Sequence, residues 1–282
     1  MPIQYPEILN LKRSGMEFSW TDRETMLYAL GVGMGADPMN EQELPFVYER
    51  NLKAMPTLAS VVAWGAGPGN TNINYLMVVD GERTITFHKP MPGSGNIVAE
   101  SRVLGAWDKG KDKGAVITNE TVLREKSSGE KLVTLVGSTF ARGDGGFGGP
   151  TEGQPAPHEV PKRAPDKTVD LATLPGQALI YRLSGDRNPL HSDPEVAKRA
   201  GFPRPILHGM CTYGISCRAV LQTYAEYDPT RFKSHGARFS SPVFPGETIS
   251  VDLWKDGNII SFEARVKSRN VTVIKNGKTE LG

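Results

Sequence analysis

A carboxylate, an amide and an imidazole crowd one short stretch of this chain. Asp186, Asn188 and His191 lie within six positions of one another, beside the turn formers Gly185 and Pro189. Held on a stiff bend, such a set can grip one water molecule and move its protons. A His208-Gly209 pair follows, just ahead of a helix-like run. Backbone N–H groups at a helix start can stabilise a negative oxygen. Base, acid and oxyanion donor are thus available within the single segment Tyr181–Tyr213.

The surrounding sequence must position these groups. Gln177–Leu183 reads as a strand leading into the bend. Ser192 is placed to cap a short helix with Pro194 in its first turn and Gly201 at its end. Gly209–Tyr224 reads as a helix apolar nearly all round, hence buried. Strands are expected at Ser234–Ser240, Thr248–Lys255, Ile259–Lys267 and Asn270–Lys275. The Lys255-Asp256-Gly257-Asn258 turn joins two of them as a hairpin. Upstream, Thr21 and Asp22 suit the start of a helix over Glu24–Leu30, which ends in the glycine series Gly31, Gly33, Gly35. That series is not a dinucleotide fingerprint: no β-branched strand enters it and no long helix leaves it. Residues 45–50 are strand-like and Pro56–Trp64 is a short apolar helix. Further strands are expected at Asn72–Val79, Thr84–His88, Asn96–Leu104, Gly114–Glu125 and Lys131–Phe140. Gly143–Asp166, full of glycine and proline, reads as a surface linker.

The 282 residues allow one large or two small domains, and 23% are charged, with a net charge of +2. No concentrated basic patch points to nucleic acid. No apolar run is long enough to span a membrane, and the N-terminus lacks the apolar core of a secretory signal. The C-terminus does not end in a peroxisomal tripeptide, so a cytoplasmic location is expected. Cys211 and Cys217 face different sides of their helix and cannot bridge. His88 and His235 lack partners at metal-ligand spacing, so no metal is expected. His208 reads as a residue orienting the turn before Gly209, and Arg238 as a salt-bridging strand residue. The chain also repeats itself. Phe87-His-Lys-Pro90-Met-Pro92-Gly93 resembles Phe239-Ser-Ser-Pro242-Val-Phe-Pro245-Gly246. Phe18–Glu24 lines up loosely with Tyr181–Asn188, which sets Asp22 against Asp186 and Leu27 against His191. One helix-plus-sheet unit used twice, with chemistry retained in the second copy, is the expected organisation.

The string Tyr181-Arg-Leu-Ser-Gly-Asp186-Arg-Asn188-Pro-Leu-His191, with Ala197 beyond it, resembles the signature of the MaoC-like, type-two 2-enoyl-CoA hydratases. Phe232-Lys233, Ala237-Arg238-Phe239, Pro245-Gly246, Trp254-Lys255 and the linker's Gly145–Gly149 are similar to the hydratase module of peroxisomal multifunctional enzyme type two. The resemblance implies an α+β double hot-dog fold: two antiparallel sheets, each wrapped round a helix, the N-terminal copy degenerate. It implies an acyl-accommodating unit over 1–148, a linker over 149–166 and a catalytic unit over 167–282. The implied activity is reversible hydration of trans-2-enoyl-CoA to (3R)-3-hydroxyacyl-CoA, with no cofactor beyond the coenzyme A of the substrate. Carried over residue by residue, Asp186, Asn188, His191 and Gly209 are catalytic. Asp186, Arg187, Asn188, Pro189, Leu190, His191, Gly209, Phe239, Lys109, Gly81 and Asp80 contact substrate. Asp80 departs from the histidine this position can carry, and Lys113 is a second candidate beside Lys109. The alternatives are a thioesterase on the same scaffold and a dehydratase of carrier-protein thioesters. A homodimer is expected by analogy with hot-dog proteins.

Overall fold

The computed structural model describes residues 3–74 and 77–282. Its ten strands form one antiparallel sheet. The strands are β1 (Lys12–Trp20), β2 (Val78–Phe87), β3 (Gly95–Asp108), β4 (Ala115–Glu125), β5 (Lys131–Ala141), β6 (Lys167–Ala172), β7 (Phe232–Phe239), β8 (Thr248–Asp256), β9 (Ile259–Val266) and β10 (Val271–Leu281). Their order across the sheet is β1-β3-β4-β5-β2-β7-β10-β9-β8-β6. The order reads the same from both edges once β1 to β5 are matched with β6 to β10. One five-stranded unit is therefore used twice, and the two copies meet at the β2–β7 seam, where Ile85 pairs with His235.

The second copy wraps its sheet round α5 (Gly209–Tyr224). Every residue of this helix from Met210 to Leu221 is buried. That is why its sequence shows no polar face. At the matching place the first copy has a single 3₁₀ turn, Pro56–Ser60. The shortened helix leaves space above β2–β5. The segment between α1 (Asp22–Gly31) and β2 fills part of it, anchored by a buried Arg218–Glu43 pair at 2.7 Å. Glu43 also accepts the Gly35 N–H at 2.8 Å.

Several expectations are corrected. Residues 45–50 are not a strand: α2 (Leu44–Val47) is a short helix with proline in its first turn. Gln177–Leu183 is also helical, as α3 (Gln177–Tyr181) followed by a 3₁₀ turn over Arg182–Ser184. Apolar β-formers there pack against α1 rather than pairing with a strand, and the Gln177 side chain donates to the Gly31 carbonyl at 2.6 Å. The cap of α4 (Pro194–Arg199) is Asp193, not Ser192; its carboxylate accepts from Glu195 and Val196 N–H. Of the strand expected at Asn72–Val79, residues 75 and 76 lie outside those described, and β2 begins at Val78. The Asp22–Asp186 alignment fails as well. Phe18 lies in β1 and Asp22 opens α1, whereas Tyr181 ends α3 and Asp186 lies beyond it. The Phe87–Phe239 correspondence holds, since each residue closes the matching strand, β2 or β7.

Residues 143–166 contain no helix or strand. They run as a strap tied at several points. Asp108 accepts the Gly146 and Gly148 N–H groups, each at 2.8 Å. Asn276 donates to the His158 carbonyl at 2.7 Å, and the Trp254 indole donates to the Arg163 carbonyl at 2.8 Å. Under this cover β8 is buried on both faces from Ile249 to Trp254.

Candidate active site

Local hydrogen bonding dictates the shape of the bend. Asp186 Oδ1 accepts the Asn188 N–H, and Asn188 Oδ1 accepts the Leu190 N–H, both at 3.0 Å. These short-range bonds, with Pro189 fixing the next φ, build a rigid 3₁₀ turn over Pro189–His191. Just ahead, Gly185 has φ +139° and lies under Trp64; a Cβ there would stand 2.8 Å from the indole Cγ. Only glycine satisfies both constraints. The result presents Asp186 Oδ2 to His191 Nε2 at 3.8 Å.

The histidine is fixed from its other side. Its Nδ1 lies 2.9 Å from the Ile206 carbonyl, an acceptor only, so Nδ1 carries the proton. Neutral His191 therefore turns an unprotonated Nε2 toward Asp186. Burial lowers its pKa below the ordinary value of 6.5, against the opposing pull of the Ile206 carbonyl and the Asp186 and Asp80 charges. His208 stacks on it with ring centroids 3.7 Å apart and donates from Nε2 to the Asp186 carbonyl at 3.1 Å. Burial and the neighbouring imidazole hold His208 down at about 3. It thus braces the bend as a neutral group, the orienting place its sequence context suggested.

Asp186, His191 and His208 place ligand-type atoms within 4.8 Å of one another. The two rings are stacked and inclined by 26°, and one nitrogen of each is already taken up by a backbone carbonyl, His191 Nδ1 by Ile206 and His208 Nε2 by Asp186. The arrangement therefore suits proton transfer better than metal binding.

Gly209 is the first residue of α5, and among the described residues its N–H has no backbone acceptor. First-turn amides of a helix have no partner within the helix. A Cβ on Gly209 would lie 3.3 Å from the Phe239 ring, so glycine keeps this corner open.

Two cavities share Asp80, whose charge acts on His191. The first, of about 340 Å³, reaches into the N-terminal unit between Trp64, Met210, Tyr213 and the β2–β5 surface. The second, of about 310 Å³, is lined by Asp80, Gly81, Lys109, Phe239, Arg238 and Gln154 among others. Four sequence-predicted contacts thus come together in the second cavity, and Lys113 is not in its wall. Asp186 and His191 line neither cavity. They lie beside the divide, where Asp80 faces both spaces, Met210 follows Gly209 and Phe239 leans on it. Arg187, Asn188 and Pro189 are exposed on the turn and Leu190 is half-buried; none lines either cavity. Sequence reasoning missed Trp64, Ile206 and Arg83, and it read Arg238 only as an ion-pair residue. Arg238 does lie 4.0 Å from Glu82, and it also lines the second cavity.

Comparison with known proteins agrees with this architecture. Residues 18–143 match the MFE-2 hydratase 2 N-terminal domain and residues 154–277 match the MaoC-like domain. The chain is 41% identical to the enoyl-CoA hydratase ChsH3 of Mycobacterium tuberculosis, covering 98% of each. It is 38% identical to the peroxisomal enoyl-CoA hydratase 2 of Arabidopsis thaliana, over 91% of this chain and 89% of the relative. The crystal structure of a MaoC-like dehydratase from Phytophthora capsici superposes with a TM-score of 0.88 at 32% identity, covering 99% of both chains. With its palindromic sheet, its Asp186–His191 bend and this extent of likeness, the chain belongs to the MaoC-like enoyl-CoA hydratase 2 family of double hot-dog proteins.

Proposed function

We propose that this protein adds water reversibly and syn across the double bond of trans-2-enoyl-CoA, giving (3R)-3-hydroxyacyl-CoA. The observation that carries the reading is the approach of Asp186 Oδ2 to His191 Nε2 at 3.8 Å, close in the chain to the Gly209 amide, which has no backbone acceptor among the described residues. Both atoms are acceptors. A water about 2.8 Å from each would subtend an angle of about 85°, near that between its own O–H bonds. It can donate both protons inward and aim its lone pair at Cβ. As the C–O bond forms, the pair takes one proton from water and returns one to Cα on the same face. The pair ends as it began. The Gly209 N–H receives the thioester oxygen as it gains enolate charge. Asn188 shapes the turn through its oxygen and offers its amide hydrogens to the water. Family membership supports the R hand.

The coenzyme A lies along the second cavity, where Lys109 and Arg238 supply positive charge. The acyl chain enters the first cavity, above the shortened N-terminal helix. We further expect a homodimer and a cytoplasmic location; none of the described helices is long and apolar enough to cross a membrane. Crotonyl-CoA and trans-2-decenoyl-CoA test the reaction. Loss of enoyl absorbance with no free thiol is the expected result. Release of free thiol would make the protein a thioesterase. Hydration only of carrier-bound substrate would shift the assignment to the carrier-protein alternative.

A further inference from the structure

Regular strand geometry would keep Arg83 away from Asp80, because residues three apart in a strand lie on opposite faces. A β-bulge removes the conflict. From Asp80 to Arg83, β2 takes three steps, while β5 opposite takes two, from Thr139 to Gly137. Both side chains then line the first cavity, and Arg83 Nη2 donates to Asp80 Oδ1 at 2.6 Å. Three neighbours are fitted to this pair. Gly81 sits in the bulge, where a Cβ would stand 2.5 Å from Ser138 Oγ. That hydroxyl accepts the Glu82 N–H at 2.8 Å. Gly137 lies under the guanidinium, where a Cβ would stand 1.7 Å from Arg83 Nη1. The bulge, two glycines and a serine thus all serve one ion pair.

The pair lies where the two cavities meet. Asp80 is also in the wall of the second cavity, and its charge acts on His191. A bare carboxylate there would hold a proton on the Asp186–His191 pair and oppose the negative charge that grows on the thioester oxygen. Glu82, the next acidic residue, turns to the second cavity and is matched by Arg238 at 4.0 Å.

We infer that Arg83 is a positioning residue for hydration, acting through Asp80: its guanidinium fixes Asp80 Oδ1 and balances the charge that this carboxylate would otherwise turn on His191 and the substrate. This rests on the hydratase reading and adds a residue to it. Arg83 itself does not touch the reacting atoms.

The test is the pH profile of kcat/KM with crotonyl-CoA, whose short acyl group leaves the depth of the first cavity out of the comparison. Hydration by the unaltered protein establishes the reaction, and only the variants test this inference. The groups acting on His191 are Asp186, Asp80, Arg182 and the stacked His208. Arg83→Met replaces none of them, but leaves Asp80 unbalanced. The protonated pair is then favoured, so the acidic limb of the profile should move to higher pH. At the optimum kcat/KM should fall about three- to tenfold, between the effects of a surface and a buried pair, since the Arg83 and Asp80 side chains are 31% and 37% exposed. Adding Asp80→Asn should return the limb and bring the rate to within about twofold of the unaltered protein. Gly137→Ala, whose Cβ displaces the guanidinium, should move the limb as Arg83→Met does. A purely structural defect would lower the rate without moving the limb. An unmoved limb in Arg83→Met overturns the inference, and so does a loss that Asp80→Asn leaves in full. Should Arg83→Met fail to fold, Gly137→Ala with and without Asp80→Asn decides by the same two readings.

Discussion

If Asp186 and His191 hold one water between them, removing either should cost nearly as much as removing both. The conservative perturbations are Asp186→Asn and His191→Asn. At 186 the asparagine keeps Oδ1, which accepts the Asn188 N–H at 3.0 Å, so the turn survives. Only the oxygen facing His191 becomes an NH₂ group, which repels a water proton instead of accepting it. At 191 the asparagine amide stands where Nδ1 donates to the Ile206 carbonyl, and only the Nε2 side is lost. A positioned proton-transfer group contributes about 10²–10⁴-fold. Each single variant should therefore lose about 3–5 kcal/mol of transition-state stabilisation, at about 1.4 kcal/mol per tenfold. Two independent groups would together lose about 10⁴–10⁸-fold; two groups acting on one water should lose little beyond the worse single variant. The assay is kcat on crotonyl-CoA by loss of enoyl absorbance, with urea midpoints within about 1 kcal/mol of the parent as the folding control. Multiplying losses would refute the shared water. Full turnover in both single variants would remove the site altogether.

Three further outcomes follow from the same coordinates. Gly209→Ala brings a Cβ to 3.3 Å from the Phe239 ring and crowds the seat of the thioester oxygen. It should lower kcat by about 10²-fold with little change in stability, since one oxyanion donor is worth 10²–10³; unchanged kcat would place the oxygen elsewhere. Glu43→Gln strands the Arg218 guanidinium, 7% exposed, without its carboxylate. It should destabilise the protein by about 3–5 kcal/mol in urea, with partial recovery when Arg218→Met is added; a loss below about 1 kcal/mol would mean solvent reaches this pair. Stability should also fall in acid. His208 and His235 are buried and held at about 3 when folded, against 6.5 as the ordinary value. The unfolded chain then binds more protons at any pH between those values, so each histidine removes about 1.4 kcal/mol per pH unit as pH drops through that window. A flat urea midpoint from pH 6 to pH 4 would contradict their burial.

The sequence was most legible where local chemistry decides structure. The α5 boundaries, the Asp256-Gly257 hairpin and the Asp186–His191 bend were all readable because caps, turns and buried periodicity act within a few residues. Gln177–Tyr181 misled for the opposite reason. Its composition suits a strand, and only packing of Gln177 and Tyr181 against α1 makes it helical. The Asp22–Asp186 alignment failed because similar letters occupied different elements; strand order, a long-range property, supplies the true register. Trp64 could not be found from its own neighbourhood, since its partners, Gly185 and the wall of the first cavity, lie far along the chain.

Duplication has left the two copies of one fold covered in different ways. A hot-dog sheet needs something to cover its concave face. In the second copy α5 does so with twelve consecutive buried residues, and its first amide is left without a backbone acceptor among the described residues. In the first copy a single turn does part of that work, and β2–β5 are left with a cavity floor. The segment crossing that gap carries Glu43, whose buried carboxylate reaches Arg218 on the helix of the other copy. The helix that presents the Gly209 amide thus also holds in place the segment that roofs the first cavity. Loosening the Glu43–Arg218 pair should therefore raise KM for long-chain enoyl-CoA more than for crotonyl-CoA, whose short acyl group need not enter the first cavity. Equal effects on both substrates would detach the roof from the reaction and leave the pair a purely structural tie.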